Sequence, residues 1–335
     1  MMKIVTYFRL KEVRWNLSES DIARLAARWG VQIEPVEDDA ALGSALAEAE
    51  VFAGFVFPRQ HFVGARRLRW IHSASAGIEA NLFPELVASD VLLTNSAGLH
   101  AVSIPEHVLG QMLLLARNFH EALRLQARAE WNRFAVISYG AGIVELHGGN
   151  LAVLGAGAIG RNLAERAAAL GMHVRVMRRD ARRPVAGAEG VVPATALHDL
   201  LGWADWVVCA LPLTNDTRGI IDAAALGAMR SHAYLINIGR GEHIDDKALV
   251  HALRNGGIAG AALDAFRQEP LRPEHPFWSL PNLVLTPHIS GYTPHYFAKM
   301  LAIFEDNLER FLTRRPLRNV VDKSLGYAPQ EEQTE

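Results

Sequence analysis

Three stretches of the chain place charged or titratable residues directly after short apolar runs. In Asn237-Ile-Gly-Arg-Gly241, an arginine stands between glycines at the end of the run Ala233–Ile238. Its planar guanidinium can fork onto a carboxylate; the other reading is a surface arginine at a turn. In Asp264-Ala-Phe-Arg-Gln-Glu-Pro270, two carboxylates leave the run Ile258–Leu263. They can serve as acid, base or orienting group, or simply decorate a solvated loop. In Thr286-Pro-His-Ile-Ser-Gly291, His288 follows a proline that fixes the backbone direction, and an imidazole titrates near neutral pH. Alone, such a histidine is more simply read as structural. Together the three stretches supply what hydride transfer to a 2-oxo acid requires. That set is a cation for the carboxylate, a proton donor for the ketone oxygen, and a second carboxylate to orient the donor.

A fourth stretch says where the hydride would come from. Gly155-Ala-Gly-Ala-Ile-Gly160 follows the apolar run Asn150–Leu154 and precedes a helical pattern, Arg161–Leu170, closed by Gly171. This is G-x-G-x-x-G between a strand and a helix. Gly155 permits the tight turn, Gly157 leaves room for a pyrophosphate beside the backbone, and Gly160 lets helix and strand pack closely. The unpaired amides and dipole of the helix start favour phosphate. The alternative is a plain strand-to-helix turn.

These residues need a scaffold that brings strand ends together. Before the glycine loop, strands at Ile4–Phe8, Val31–Val36, Val51–Phe57, Trp70–Ser73 and Val91–Thr94 alternate with helices at Ser20–Trp29 and Ala40–Glu50. After it come strands at His173–Met177, Val191–Val192, Trp206–Ala210, Ala233–Ile238, Ile258–Leu263 and Leu283–Thr286, with a helix at Asp245–Asn255. Alternation of this kind implies parallel strands with helical crossovers. Near-continuous apolar strands imply a sheet covered on both faces, and the ligand of such a doubly wound sheet belongs at the carboxyl ends of its strands. Ile104–Ala116, with Pro105 in its first turn, reads as an apolar helix joining two units. Phe119–Gly149 reads as an irregular arm whose Trp131, Phe134 and Tyr139 suit either a subunit interface or a local core. Tyr292–Leu312 reads as a last helix that returns to the first unit, and the polar Gly326–Glu335 is expected to fray.

Composition narrows the classes. The 335 residues suggest two domains, 50% are hydrophobic and 21% charged, and the net charge is −2, so no nucleic-acid surface is expected. A single cysteine excludes a disulfide framework and suits the cytosol. Cys209 in W-V-V-C-A reads as a buried apolar residue, and Met112 as helix core. No signal peptide and no apolar run of about 18 residues is present, so no membrane span is expected. The fourteen histidines lack H-E-x-x-H or similar spacing, so no metal is expected.

The glycine loop, A-L-P-L-T-N-D-T-R-G (Ala210–Gly219), I-N-I-G-R-G (Ile236–Gly241), A-A-L-D-A-F-R-Q-E-P (Ala261–Pro270) and T-P-H-I-S-G (Thr286–Gly291) carry a resemblance. S-A-G-I-E (Ser75–Glu79) and P-E-H-V-L-G (Pro105–Gly110) join them. Over about residues 50–320 the chain resembles the D-isomer-specific 2-hydroxyacid dehydrogenase family, its glyoxylate/hydroxypyruvate reductases in particular. Only Ser290, in place of a commoner alanine, departs from the last motif. The resemblance implies an α/β protein of two Rossmann-like or flavodoxin-like parallel-sheet domains. A discontinuous substrate domain (1–103 and 290–335) would surround an inserted nucleotide domain (104–289). It implies that Arg240 binds the substrate carboxylate and polarises the ketone. His288 would give a proton to the ketone oxygen, while Glu269 holds the imidazole and raises its pKa. The amides of Ala76 and Gly77 would help hold the substrate carboxylate. Gly155, Gly157, Ala158, Ile159, Gly160, Leu211, Pro212 and Asp264 would serve the cofactor, Asp264 near the nicotinamide carboxamide. Phe55, Phe57 and Tyr292 are candidates for the substrate side-chain pocket.

NAD enzymes place an acid at the end of the second strand for the ribose hydroxyls. In the family's spacing that position is eighteen residues past Gly160, which here is Arg178, followed by Arg179. Two guanidinium groups there suit a 2′-phosphate, so NADP(H) is expected over NAD(H), which stays open. Asp180 lies two residues further on, where Arg182 or Arg183 can pair with it; the two leading arginines can also be read as a solvated loop. The expected protein is thus a cytoplasmic homodimer reducing a small 2-oxo acid to the D-2-hydroxy acid. Two alternatives stay open: a phosphoglycerate dehydrogenase-type enzyme and a dinucleotide-sensing corepressor on the same fold. Formate dehydrogenases pair the histidine with glutamine, whereas this chain has Glu269.

Overall fold

The computed structural model describes residues 1–10, 13–15 and 17–329. The chain divides into two compact units: Met1–Leu99 with the segment from Pro294 onward, and His100–Thr293 between them. The breaks leave His100–Ser103 and Ser290–Thr293 in the second unit, outside the limits 104–289 expected from sequence. Packing explains this: a Cβ on Gly291 would stand 3.1 Å from the His100 ring, and the Ser290 amide is bonded to Asp264.

In the first unit, β1 (Lys3–Leu10), β2 (Val13–Trp15), β3 (Gln32–Pro35), β4 (Val51–Gly54), β5 (Trp70–Ser73) and β6 (Leu92–Asn95) form one sheet. Five strands run parallel in the order β3-β1-β4-β5-β6. This is the flavodoxin-like order. β2 adds an antiparallel hairpin on the end of β1. One face is covered by the helix Tyr296–Leu312, whose Met300, Phe304 and Leu308 pack with Ile4, Val51 and Trp70. Trp70 stacks on Phe304 at 5.4 Å. That helix begins at Tyr296 and not at Tyr292, because Pro294 opens a turn ahead of it. Phe55 and Phe57 are core residues, 4% and 1% exposed. β4 ends at Gly54, and the chain after it turns both rings inward, onto Phe8 and Phe52 respectively. Of the tail expected to fray, residues 330–335 lie outside the described residues, while Ala328 packs with Val321 in the core.

The second unit holds β7 (Asn150–Leu154), β8 (His173–Met177), β9 (Gly190–Val192), β10 (Trp206–Cys209), β11 (Tyr234–Asn237), β12 (Gly260–Leu263) and β13 (Leu283–Leu285). All seven are parallel, in the order β13-β12-β11-β10-β7-β8-β9. This is the doubly wound Rossmann order, with its switch between β7 and β10. The register puts Met177, Leu154, Cys209, Asn237, Leu263 and Leu285 in one row across the sheet. The residues just past that row, Arg178, Gly155, Ala210, Ile238, Asp264 and Thr286, therefore stand at one edge. Cys209 is fully buried, which pushes its thiol up to about 12. The helix Ser103–Ala116 buries Val108, Met112 and Leu115 against β7, β8 and β10. The arm is more regular than its composition suggests, with helices Phe119–Ala127 and Arg133–Ile137.

Candidate active site

The glycine loop closes the first strand end. The helix after β7 runs Ala158–Ala169, three residues earlier than its sequence pattern, with Gly157 as its N-cap. Ala158, Ile159 and Gly160 are thus its first turn. Each glycine meets a different constraint. Gly155 has φ 112°, and a Cβ there would approach Ala210 O to 2.8 Å. A Cβ on Gly160 would meet Gly155 O at 1.9 Å, a collision with backbone. A Cβ on Gly157 would meet nothing within 4 Å. Protein packing demands the outer two glycines, and the middle one faces open space where a pyrophosphate can approach.

β8 ends in Met177, whose carbonyl accepts from the Gly155 amide at 2.9 Å, so the second strand end adjoins the loop. Arg178 follows, its amide bonded to Val192 O at 3.0 Å and its guanidinium reaching Arg183 O at 3.5 Å. Asp180 is committed elsewhere. It accepts from Arg182 at 2.9 and 3.2 Å and lies 3.5 Å from Arg183. The hydrogen bond from Arg182 holds its carboxyl low, at about 2.

The turn after β11 carries Arg240. Asn237, fully buried, donates to Arg240 O at 2.9 Å and accepts from the Gly239 amide at 3.1 Å. His243 accepts from the Arg240 amide through Nδ1 at 3.0 Å, which leaves Nε2–H to donate to Pro212 O at 3.3 Å. Burial keeps this imidazole neutral by lowering its pKa. The same histidine thereby ties the Leu211-Pro212 segment after β10 to the Arg240 turn. A Cβ on Gly241 would fall 2.0 Å from Phe266 C, so only glycine lets the Arg240 turn lie against the loop that carries Glu269.

That loop is pinned by Arg267, which donates to Ile244 O at 2.8 Å. Glu269 accepts from the Phe266 amide at 2.9 Å through one oxygen and from His288 Nδ1 at 2.8 Å through the other. Burial works to raise the Glu269 carboxyl. The two hydrogen bonds and the charges of His288 and Arg240 outweigh it and hold the group below its usual range. His288 moves the other way. Its hydrogen bond to Glu269 raises it, burial and the Arg240 charge oppose, and the Glu269 and Asp264 charges add to the rise. With Nδ1 given to Glu269, Nε2 is the nitrogen that can meet a ligand, and the pair favours its protonated form.

Arg240, Glu269 and His288 are thus brought together in the second unit, at the strand edge that also carries the glycine loop. Asp264 lies under them, 1% exposed, with both oxygens bonded to the loop of His288. Ala76 and Gly77 belong to the first unit, in the turn after β5, where Ala76 O accepts from Asn95. Tyr292 is 68% exposed. Sequence reasoning missed Asn237, His243 and Thr286. An asparagine two residues before Gly-Arg-Gly was a legible turn signal; the second partner of His243, Pro212, and the partners of Thr286 lie too far along the chain to be read.

Residues 109–290 match the family described as D-isomer specific 2-hydroxyacid dehydrogenase, NAD binding domain. The chain is 34% identical over 267 residues to a glyoxylate reductase of Aeropyrum pernix, covering 78% of each protein. Among solved structures it is similar to an NADPH-dependent glyoxylate/hydroxypyruvate reductase from Sinorhizobium meliloti in complex with NADP and sulfate. The TM-score is 0.80 at 26% identity, covering 98% of this chain and 100% of that one. A D-isomer specific 2-hydroxyacid dehydrogenase from Xanthobacter autotrophicus in complex with NADPH and MES gives a TM-score of 0.76 at 28% identity, covering 97% and 99%. The Rossmann order, the three glycines with their distinct constraints and these likenesses agree, and the chain belongs to the D-isomer-specific 2-hydroxyacid dehydrogenase family of NAD(P)-binding oxidoreductases.

Proposed function

We propose that the protein reduces a small 2-oxo acid, glyoxylate or hydroxypyruvate, to the D-2-hydroxy acid, with NADP(H) preferred over NAD(H). The observation that carries this reading is the His288–Glu269 pair at 2.8 Å with the Arg240 charge beside it. Arg240 holds the substrate carboxylate and polarises the ketone through its guanidinium. His288 Nε2 gives its proton to the ketone oxygen, and in the reverse direction takes it back. Glu269 keeps the ring oriented and compensates its charge.

The residues at the loop fit a dinucleotide. Gly155, Gly157, Ala158, Ile159 and Gly160 cradle the pyrophosphate, with Leu211, Pro212 and Asp264 further along the same strand edge. Arg178 and Arg179 take the 2′-phosphate, since Asp180, the acid that follows them, is occupied by Arg182. When bound, the cofactor supplies the hydride to the ketone carbon.

The exposed apolar side chains of the arm, Phe119, Leu123, Trp131, Phe134 and Ile137, support a homodimer that covers them. Among the described residues no helix is long and apolar enough to cross a membrane, and the lone cysteine is buried; both are compatible with a cytoplasmic enzyme. The test is turnover of a panel of glyoxylate, hydroxypyruvate, pyruvate and phenylpyruvate with NADPH and with NADH. Highest kcat/KM on one of the first two with NADPH is expected. Cofactor binding without turnover of any of them would make the protein a sensor and refute the reading.

A further inference from the structure

We propose that His107 is a positioning residue for His288, acting through Thr286 and Asp264. His288 has φ 55°, in the left-handed region that non-glycine residues avoid. Something must hold it there. The hold comes from Asp264, which reaches residues on both sides of His288. Its Oδ1 accepts from the Thr286 hydroxyl at 2.6 Å and from the Ile289 amide at 3.0 Å. Its Oδ2 accepts from the Ser290 amide at 3.0 Å. A buried carboxylate bonded to both flanks of one residue fixes that residue's backbone, and so the direction of its side chain.

The Thr286 hydroxyl has one hydrogen, and at 2.6 Å from a carboxylate it is spent on Asp264. Its oxygen therefore faces donors. Two arrive from one face of the helix Ser103–Ala116, four residues apart: Gln111 Nε2 and His107 Nε2, each at 3.2 Å. His107 Nε2 must then carry a hydrogen, which fixes the tautomer. The same nitrogen stands 3.8 Å from Asp264 Oδ1. His107 thus aims the threonine hydroxyl at Asp264 and also faces the buried charge directly. Burial lowers the pKa of this imidazole and the Asp264 charge opposes the fall. The groups that face His288 are Glu269, Arg240 and Asp264, so His107 reaches it only through the last of these. With the hydroxyl no longer aimed, the loop relaxes, the bond to Glu269 lengthens and His288 loses part of its raised pKa.

The kinetic arm of the test rests on the reductase reading; the spectroscopic arm does not. His288 is titrated by NMR of its imidazole in the protein without substrate, the signal assigned by comparison with His288→Ala. In His107→Leu its pKa is expected to fall by half a unit or more, and kcat for glyoxylate with NADPH by about tenfold, with KM for NADPH within about twofold. His107→Gln keeps a donor at the same reach and is expected to restore both. Thr286→Val is expected to reproduce the loss, and the double variant to be no worse than Thr286→Val alone, because the two act in series. Wild-type titration of His288 in His107→Leu, or losses that multiply in the double variant, would overturn the proposal. If His107→Leu does not fold, Thr286→Val decides, and an unmoved His288 there overturns it too. Absence of glyoxylate turnover in the unaltered protein would sink the substrate reading and leave the titration to judge His107.

Discussion

Replacing Glu269 by glutamine isolates the charge of the pair. Glutamine keeps an oxygen that can accept from His288 Nδ1, so the ring stays oriented while the negative charge goes. Charges about 4 Å apart attract by about 4 kcal/mol at an effective dielectric of about 20. The His288 and Glu269 side chains are 50% and 36% exposed, and solvent screens the pair well below that figure. Exposed pairs contribute up to about 1 kcal/mol and hydrogen bonds to charged groups about 1.5–3 kcal/mol. This pair belongs near the boundary, at about 1.4 kcal/mol, which is about one pH unit on His288. The sign follows from the chemistry. Reduction needs protonated His288, so its kcat/KM falls as pH rises through the His288 pKa. Oxidation needs the neutral ring, so its rate rises through the same value. In Glu269→Gln both midpoints should move about one unit to lower pH, since burial and Arg240 still push the ring down. Above both midpoints, reduction should be about tenfold slower than in the unaltered enzyme. Initial rates in both directions across the pH range, read from the absorbance of the reduced nicotinamide, give the midpoints. A midpoint that stays or moves up would refute the assigned role of the pair. The linkage to stability has its own window. The raised His288 contributes fully below its ordinary 6.5 and loses its share as pH rises through its native value. The lowered Glu269 contributes fully above its ordinary 4.5 and loses its share as pH falls through its native value. Both contributions are complete only between those two ordinary values.

The second and third glycines of the loop should part company: Gly157→Ala should melt like the unaltered protein yet bind NADPH at least tenfold more weakly, while Gly160→Ala, with a Cβ 1.9 Å from Gly155 O, should lose about 1–3 kcal/mol of stability in thermal or urea unfolding. Equal melting losses in both would show that Gly157 also serves packing. Arg178→Asp should lower the kcat/KM ratio of NADPH to NADH by tenfold or more, one charge-assisted contact contributing about 1.5–3 kcal/mol; an unchanged ratio would remove Arg178 from the 2′-phosphate site. Light scattering at micromolar concentration should give the dimer mass, and Trp131→Glu, at a position 98% exposed, should lower it; a monomer in the unaltered protein would leave the arm's apolar face unexplained.

Strand positions were largely legible because each strand of the second sheet is a short apolar run bounded by glycine, proline or charge. The parallel order followed from the helices between them. Less legible was what happens one residue beyond a strand. Phe55 and Phe57 continue the apolar run of β4, and their alternation alone does not tell a pocket wall from a core; the neighbours Phe8 and Phe52 decide it. The helix after the glycine loop begins at Ala158 and not at Arg161, because Ala158, Ile159 and Gly160 read as part of the glycine loop while the backbone already turns helically. The paired helices of the arm were hidden by aromatic residues that face solvent and so break the expected apolar period.

The trio of Arg240, Glu269 and His288 could be picked out by residue type, but its supports could not. Asn237 and His243 close the Arg240 turn, yet His243 does so partly through Pro212, thirty-one residues away. Thr286 and Asp264 are twenty-two apart, and His107 is 179 residues from the threonine it faces. Such partners meet only because the register sets Asn237, Leu263 and Leu285 in one row, which delivers their successors side by side. The residues assigned the chemistry stand at the tips of these turns, where a ligand can reach them. The residues that aim them lie one step nearer the sheet, where burial makes an unsatisfied polar group costly. A buried asparagine or carboxylate at a strand end therefore has to spend its hydrogen bonds on the adjoining turn, and in doing so it sets the direction of the side chain above it. Asp264 illustrates the point: the family resemblance assigns it to the cofactor, and its hydrogen bonds also fasten both flanks of His288.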